Sequence, residues 1–159
     1  MQTWRMVENL NAGSWITEGV AFSPDGNFLA AASADSLVHI WNARTWSTPF
    51  TLFGHASVVW SAAFSPDSQW LVTASADDTL RVWSVDGWHD IAILYGHQGQ
   101  GLNATFSPDG KEIISSGWDG AVRVRPCEVC SAPAQLAMLA QAHTTRGFTL
   151  AERETYLHE

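Results

Sequence analysis

The feature that most constrains this chain is a repeat. Phe22-Ser-Pro-Asp25, Phe64-Ser-Pro-Asp67 and Phe106-Ser-Pro-Asp109 begin 42 residues apart. The same step links Asp35, Asp77 and Asp119, takes Trp41 to Trp83 and then to Arg125, and takes Gly54-His55 to Gly96-His97. A period of this length is the mark of a stacked or circular array, in which each unit buries its apolar face against the next. In the second unit, Val58–Phe64, Trp70–Ser75, Leu80–Val85 and Ile91–Tyr95 are β-branched and aromatic runs. Ser-Pro-Asp, Asp-Asp and Asp-Gly turns separate them, so each unit reads as a four-stranded antiparallel meander. Pro24, Pro66 and Pro108 sit in turns, where a missing N–H does no harm.

Composition bounds the partners. Apolar residues are 46% and charged residues 15% of 159, a globular balance. No apolar run approaches the ~20 residues of a spanning helix, and the N-terminus lacks the basic start and apolar stretch of a secretion signal. The net charge of −8, with Lys111 as the single lysine, repels phosphate backbones. Neither a membrane nor nucleic acid is therefore expected as a partner. Cys127 and Cys130 are too few and too close for a disulfide framework, and a cytoplasmic setting is expected.

The Gly-His starts, Ser-Pro-Asp turns, Ser-Ala-Asp turns and the Trp about 28 residues after His resemble the WD-repeat β-propeller family, over roughly residues 3–126. The resemblance implies an all-β fold of three four-stranded antiparallel blades, an incomplete propeller, with a short helical C-terminal tail. The blades fall at about 14–55, 56–97 and 98–126. Residues 3–11 match the outer strand of a blade whose other strands are absent, and the third repeat stops after its third strand. In closed members of the family such an N-terminal strand latches the last blade.

His, Asp and Ser in the second repeat could pass for a hydrolase triad, but a triad needs an exposed nucleophile beside an oxyanion site. The resemblance implies a buried structural chain instead, from the Trp83 indole to Ser75, then His55, then Asp77. The first repeat keeps Ser33, Asp35 and Trp41, with Gly13 at the His position. The third keeps His97 and Asp119, with Gly117 and Arg125 at the Ser and Trp positions. No catalytic residue and no cofactor is expected.

Family members bind proteins or peptides on the narrow top face. The positions carried over are Glu18, Trp60, Leu102 and Trp118, with Trp60 alternatively packing between blades. The remaining blades would lie on the same full-length protein, on another chain or on copies of this one, which could close a ring. Trp46, Trp70 and Trp88 read as edge packing.

From residue 127 to 159 the repeat stops. Ser131-Ala-Pro133 opens a helix running to His143, and Thr149–Glu152 fits a capping box for a second. Cys127-Glu-Val-Cys130 has metal-like spacing but lacks two well-placed further ligands, so it reads as a pair of half-buried thiols and a weak zinc candidate. This ending, with Thr145-Arg-Gly-Phe-Thr149 and Glu152-Arg-Glu-Thr-Tyr-Leu157, resembles the end of WD-repeat regions in bacterial STAND-type signalling proteins. Their repeats form a C-terminal sensor. The chain has no Gly-Lys-Ser/Thr phosphate loop, so any nucleotide hydrolysis would belong to other polypeptide.

Overall fold

Residues 8–12, 16–47 and 49–130 are described by the computed structural model of the chain. Among the described residues eleven strands run in order: β1 Thr17–Phe22, β2 Phe28–Ser33, β3 Val38–Asn42, β4 Phe50–Leu52, β5 Val59–Phe64, β6 Trp70–Ser75, β7 Leu80–Ser84, β8 Asp90–Leu94, β9 Gly101–Phe106, β10 Glu112–Gly117 and β11 Val122–Pro126. A short 3₁₀ turn follows at Glu128–Cys130. They form three antiparallel meanders, β1-β2-β3-β4, β5-β6-β7-β8 and β9-β10-β11. The third sheet has three strands among the described residues, so the expectation of three four-stranded sheets holds for the first two. The chain divides into a unit Met1–Glu128, which holds the eleven strands above, and a unit Val129–Glu159. The helices expected over 131–159 lie outside the described residues, as do residues 3–7 of the expected outer strand at 3–11. Residues 8–12 carry no regular secondary structure.

The turns explain why the same strands recur. Ser23, Ser65 and Ser107 donate their hydroxyls to Asp25, Asp67 and Asp109. Each hydroxyl also accepts the backbone N–H that opens the next strand, from Phe28, Trp70 and Glu112. The Ser-Pro-Asp motif is thus a side-chain-closed turn, which fixes hairpin register locally. The next turn places Ser36, Asp78 and Gly120 at φ of 72°, 65° and 71°. Short polar residues and glycine are the ones that enter this left-handed region at little steric cost.

Neighbouring sheets pack face to face. Val38 and Ile40 of the first sheet share one buried cluster with Ala62, Phe64, Leu71 and Trp83 of the second, and Leu52 joins them. Trp88 reaches back from the second sheet onto the first, with its ring 5.2 Å from that of Phe28 and 6.5 Å from that of Phe50. The third sheet docks on the second through β9, where the Ala104 N–H donates to Ser61 Oγ at 3.1 Å.

The repeat acts as an internal control for burial. One step on from Val20 and Phe22 stand Ala62 and Phe64, and one further Ala104 and Phe106, all buried. Val20 is 66% and Phe22 58% exposed. Likewise Val38 and Ile40 correspond to buried Leu80 and Val82, and then to Val122 and Val124, which are 70% and 57% exposed. The sequence pattern is the same at each copy. Among the described residues only the presence of a neighbouring sheet differs, and the end positions are exposed apolar faces.

Candidate functional site

The second sheet carries a complete buried hydrogen-bond chain. The Trp83 indole Nε1–H donates to Thr73 Oγ1 at 2.9 Å. Thr73 has one proton to give, and its other partner is His55 Nε2 at 2.8 Å. Nε2 is therefore the acceptor, which puts the imidazole proton on Nδ1, 2.8 Å from Asp77 Oδ2. Asp77 also takes the Ala56 N–H at 2.9 Å and the Thr79 hydroxyl at 2.6 Å. Burial pushes the His55 pKa below its ordinary 6.5, and the nearby Arg81 guanidinium adds to this against the pull of Asp77. Burial would raise the Asp77 carboxyl. The hydrogen bonds from Thr79, Ala56 and His55 together outweigh it and hold the pKa at about 2.

This corrects the expected chain. The hydroxyl is that of Thr73, and Ser75 stands outside it. Ser75 Oγ donates to the Ser57 carbonyl at 3.1 Å and accepts the Asp77 N–H at 3.1 Å, so it holds the strand end and turn. In register Trp83 faces Leu71, which makes Thr73 its diagonal same-face neighbour and leaves Ser75 one pair too far along. The same two-residue shift applies in the other sheets. In the third, the hydroxyl is Ser115, 2.9 Å from His97 Nε2, so Gly117 does not mark a lost hydroxyl. His97 Nδ1 lies 2.9 Å from Asp119. Hydrogen bonds from His97 and the Gln98 N–H, and then from Ala121 and Arg123, hold the Asp119 carboxyl well below the usual range. In the first sheet Ala31 occupies the hydroxyl position beside buried Trp41. Ser33 there accepts the Asp35 N–H at 3.4 Å, and Asp35 lies 3.3 Å from His39. Gly13 lies outside the described residues.

Thr73 is fully buried with its hydroxyl bonded on both sides, and Ser75 is equally buried. Neither is an accessible nucleophile. The chemistry of this cluster is structural: it ties the loop before β5 to the β6–β7 turn and to the middle of β7.

The rim positions show a regularity that spacing alone did not reveal. The β1–β2 register runs from Thr17 to Gly19 with Glu18 unpaired. The β5–β6 register runs from Val59 to Ser61 past Trp60, and the β9–β10 register from Gly101 to Asn103 past Leu102. Each sheet thus carries a β-bulge at the position singled out for binding, and a bulge re-aims the extra side chain and strengthens the local twist. Glu18 is exposed, while Trp60 and Leu102 are half-buried. The Trp60 indole Nε1 is buried without a hydrogen-bond partner among the described residues. Its backbone oxygen would lie 3.1 Å from a Cβ at Gly19, so the first and second sheets meet at the bulge itself.

Trp118 is 66% exposed at the β10–β11 turn. Its N–H donates to the Gln100 carbonyl at 3.0 Å, as Ala34 does to Ile16 and Ala76 to Val58. The next residue, Asp119, is locked to His97 and Gln98. The aromatic therefore stands on a fixed turn rather than a free loop.

Cys127 and Cys130 are disulfide-bonded, which corrects the expected pair of thiols. In that state neither sulfur is a thiolate able to ligate zinc.

The model of the WD domain, G-beta repeat, matches residues 9–42, 46–84 and 88–125. The chain belongs to the WD-repeat family. Among solved structures it is similar to that of U3-55K, with a TM-score of 0.72 and 18% identity over 77% of this chain and 39% of that one. The crystal structure of RRP9 WD40 repeats is similar at a TM-score of 0.72 and 18% identity, over 77% of this chain and 38% of that one. At this identity the likeness concerns the fold, and the WD-repeat chain here spans less than half the length of either. No curated protein sequence matches it significantly. WD-repeat propellers are protein-interaction modules that generally bind protein partners and are typically non-enzymatic scaffolds.

Proposed function

We propose that this WD-repeat chain binds a protein or peptide at the rim formed by Glu18, Trp60, Leu102 and Trp118. The row of bulges at residues 18, 60 and 102 carries this reading, because it directs one side chain per blade to equivalent places. Trp118 supplies an exposed anchor, and an aromatic held on a rigid turn loses little entropy on binding. The acidic balance of the chain favours a partner that is not a phosphate polymer. By its resemblance to STAND-type endings, the module is the C-terminal part of a cytoplasmic sensor or scaffold in a bacterial signalling protein. The redox state of the cysteines in cells tests that setting: a reducing cytoplasm would hold Cys127 and Cys130 as thiols, an oxidising compartment as the disulfide.

The rim reading is tested by panning a displayed random-peptide library against the purified chain and repeating the titration with Trp118→Ala and Trp60→Ala. A hot-spot aromatic removed from the rim lowers affinity by about ten-fold or more without moving the Trp118→Ala urea midpoint. Unchanged affinity in both variants, or no enriched peptide, counts against the rim.

A further inference from the structure

The third strand of each blade runs into a turn, and the 42-residue step aligns these turns. Ala43, Val85 and Cys127 share one position. Their N–H groups donate to the Asn27, Gln69 and Lys111 carbonyls at 2.8, 2.9 and 2.7 Å, so the register runs unbroken to Cys127. Three residues further on stand Trp46, Trp88 and Cys130. Trp46 and Trp88 hold φ of 50° and 51°, a left-handed conformation that a bulky residue enters only at a cost. Ring packing holds them there. The Trp46 ring lies 6.3 Å from that of Phe22, and the Trp88 ring 6.5 Å from that of Phe64. The first two turns are thus shut by an aromatic seated on its own blade. In the third a sulfur stands in the place of the indole. Cys127 and Cys130, the two cysteines of the chain, shut that turn with their disulfide.

Two features set this clip apart from a stabilising cross-link. Only two residues separate its cysteines, so it removes little freedom from the unfolded chain and adds little stability. Its ends also differ in exposure: Cys127 is 4% exposed, whereas Cys130 is half-buried. A covalent lock that adds little stability and offers one approachable end suits reversible opening. We propose that Cys127–Cys130 is a thiol-exchange site, at which a small-molecule thiol attacks Cys130 and opens the turn of the third blade. The incoming thiolate bonds to Cys130 Sγ as the bond to Cys127 breaks. Cys127 Sγ leaves with the bonding pair and takes a proton from water. A second thiolate then attacks the sulfur of the first molecule. The two leave as their own disulfide, and Cys130 Sγ takes a proton. Two small thiols are oxidised and one protein disulfide is reduced. The reverse sequence, with the small disulfide as oxidant, shuts the turn again. The Cys127 N–H bond to Lys111 and the β10–β11 ladder lie on the strand side of the clip, so opening frees residues 128–130 and leaves the sheet paired. Turns shut by an indole have no such chemistry, so among the three described turns thiol state acts on the third. The site rests on the repeat register and not on the rim.

The test incubates the full chain with millimolar reduced glutathione, quenches with acid, alkylates, and reads the thiol state by mass spectrometry. Reduction of the folded chain, reversed by oxidised glutathione, is expected. On reduction, amide exchange at Val129 and Cys130 rises about ten-fold or more while β9–β11 stay protected. In Cys127→Ser, oxidised glutathione forms its adduct on Cys130 about ten-fold faster than on Cys127 in Cys130→Ser. A bond that glutathione opens only in urea overturns the proposal in favour of a structural staple. A chain that stays reduced in oxidised glutathione overturns it too. Protection lost across β9–β11 on reduction overturns it because the sheet then depends on the clip. Equal adduct rates at the two cysteines overturn the attack at Cys130. The wild-type measurements decide the matter even if a serine variant does not fold. Trp118→Ala leaves every one of these readouts unchanged, so failure of the rim and failure of the clip are told apart.

Discussion

Replacing Thr73 by valine removes one oxygen and keeps the shape of the side chain. In the wild type that oxygen serves two buried groups, the Trp83 indole N–H at 2.9 Å and His55 Nε2 at 2.8 Å. Thr73 and Trp83 sit in the interior of the second blade, so water does not replace the lost partner. A buried polar group left unpaired costs about 1–3 kcal/mol, and two such groups with partial relaxation give about 2–4 kcal/mol. With a urea slope of about 1–3 kcal/mol per molar for a small protein, the midpoint falls by roughly 1–2 M. Thr73→Ser restores the hydroxyl and gives up one buried methyl, about 1 kcal/mol. The second readout is the ring of His55. With Thr73 donating to Nε2, nitrogen chemical shifts report the Nδ1–H tautomer, and Thr73→Val weakens that preference while Ser75→Ala leaves it. A loss under about 1 kcal/mol for Thr73→Val, or a tautomer that responds to Ser75→Ala instead, would refute the hydrogen-bond chain described above.

Stability should fall with acid in two stages. The folded pKa of His55 lies below 6.5, so the unfolded chain takes the proton first and stability declines as pH drops below 6.5. Asp77 holds its pKa at about 2 against an ordinary 3.8, so its contribution is complete above 3.8 and is lost as pH falls towards 2. Urea midpoints from pH 8 downward, compared with His55→Gln, check the first stage, and an identical slope in the variant contradicts it. Arg125→Trp should complete the network of the third blade, since Ser115 is already placed to accept an indole N–H as Thr73 does. A gain of about 1 kcal/mol, read as slower amide exchange across β9–β11, is expected, and faster exchange argues against the correspondence.

Much of the fold was legible in the residues. The 42-residue period, the Ser-Pro-Asp turns and the β-branched runs named the strands of the second blade to within about one residue. This worked because each hairpin is closed by side chains local to its own turn, such as Ser65 bonding Asp67 and Trp70. The polar network was legible only in part. His55, Asp77 and Trp83 do meet, but Thr73 and Ser75 lie on the same face of one strand, and a period of two cannot choose between them. Registry with Trp83 across β7 makes the choice, and registry is a property of the pair.

What the sequence determined by itself is therefore the unit: its length, its turns and its alternation of buried and exposed positions. The tertiary structure alone decided how units meet. Val20 and Ala62 occupy one repeat position, as do Val124 and Val82, yet one of each pair is exposed and the other buried. Burial depends on the neighbour and not on the residue. The bulges at Glu18, Trp60 and Leu102 likewise appear only once β1, β5 and β9 are paired, because an extra residue exists only relative to a partner strand.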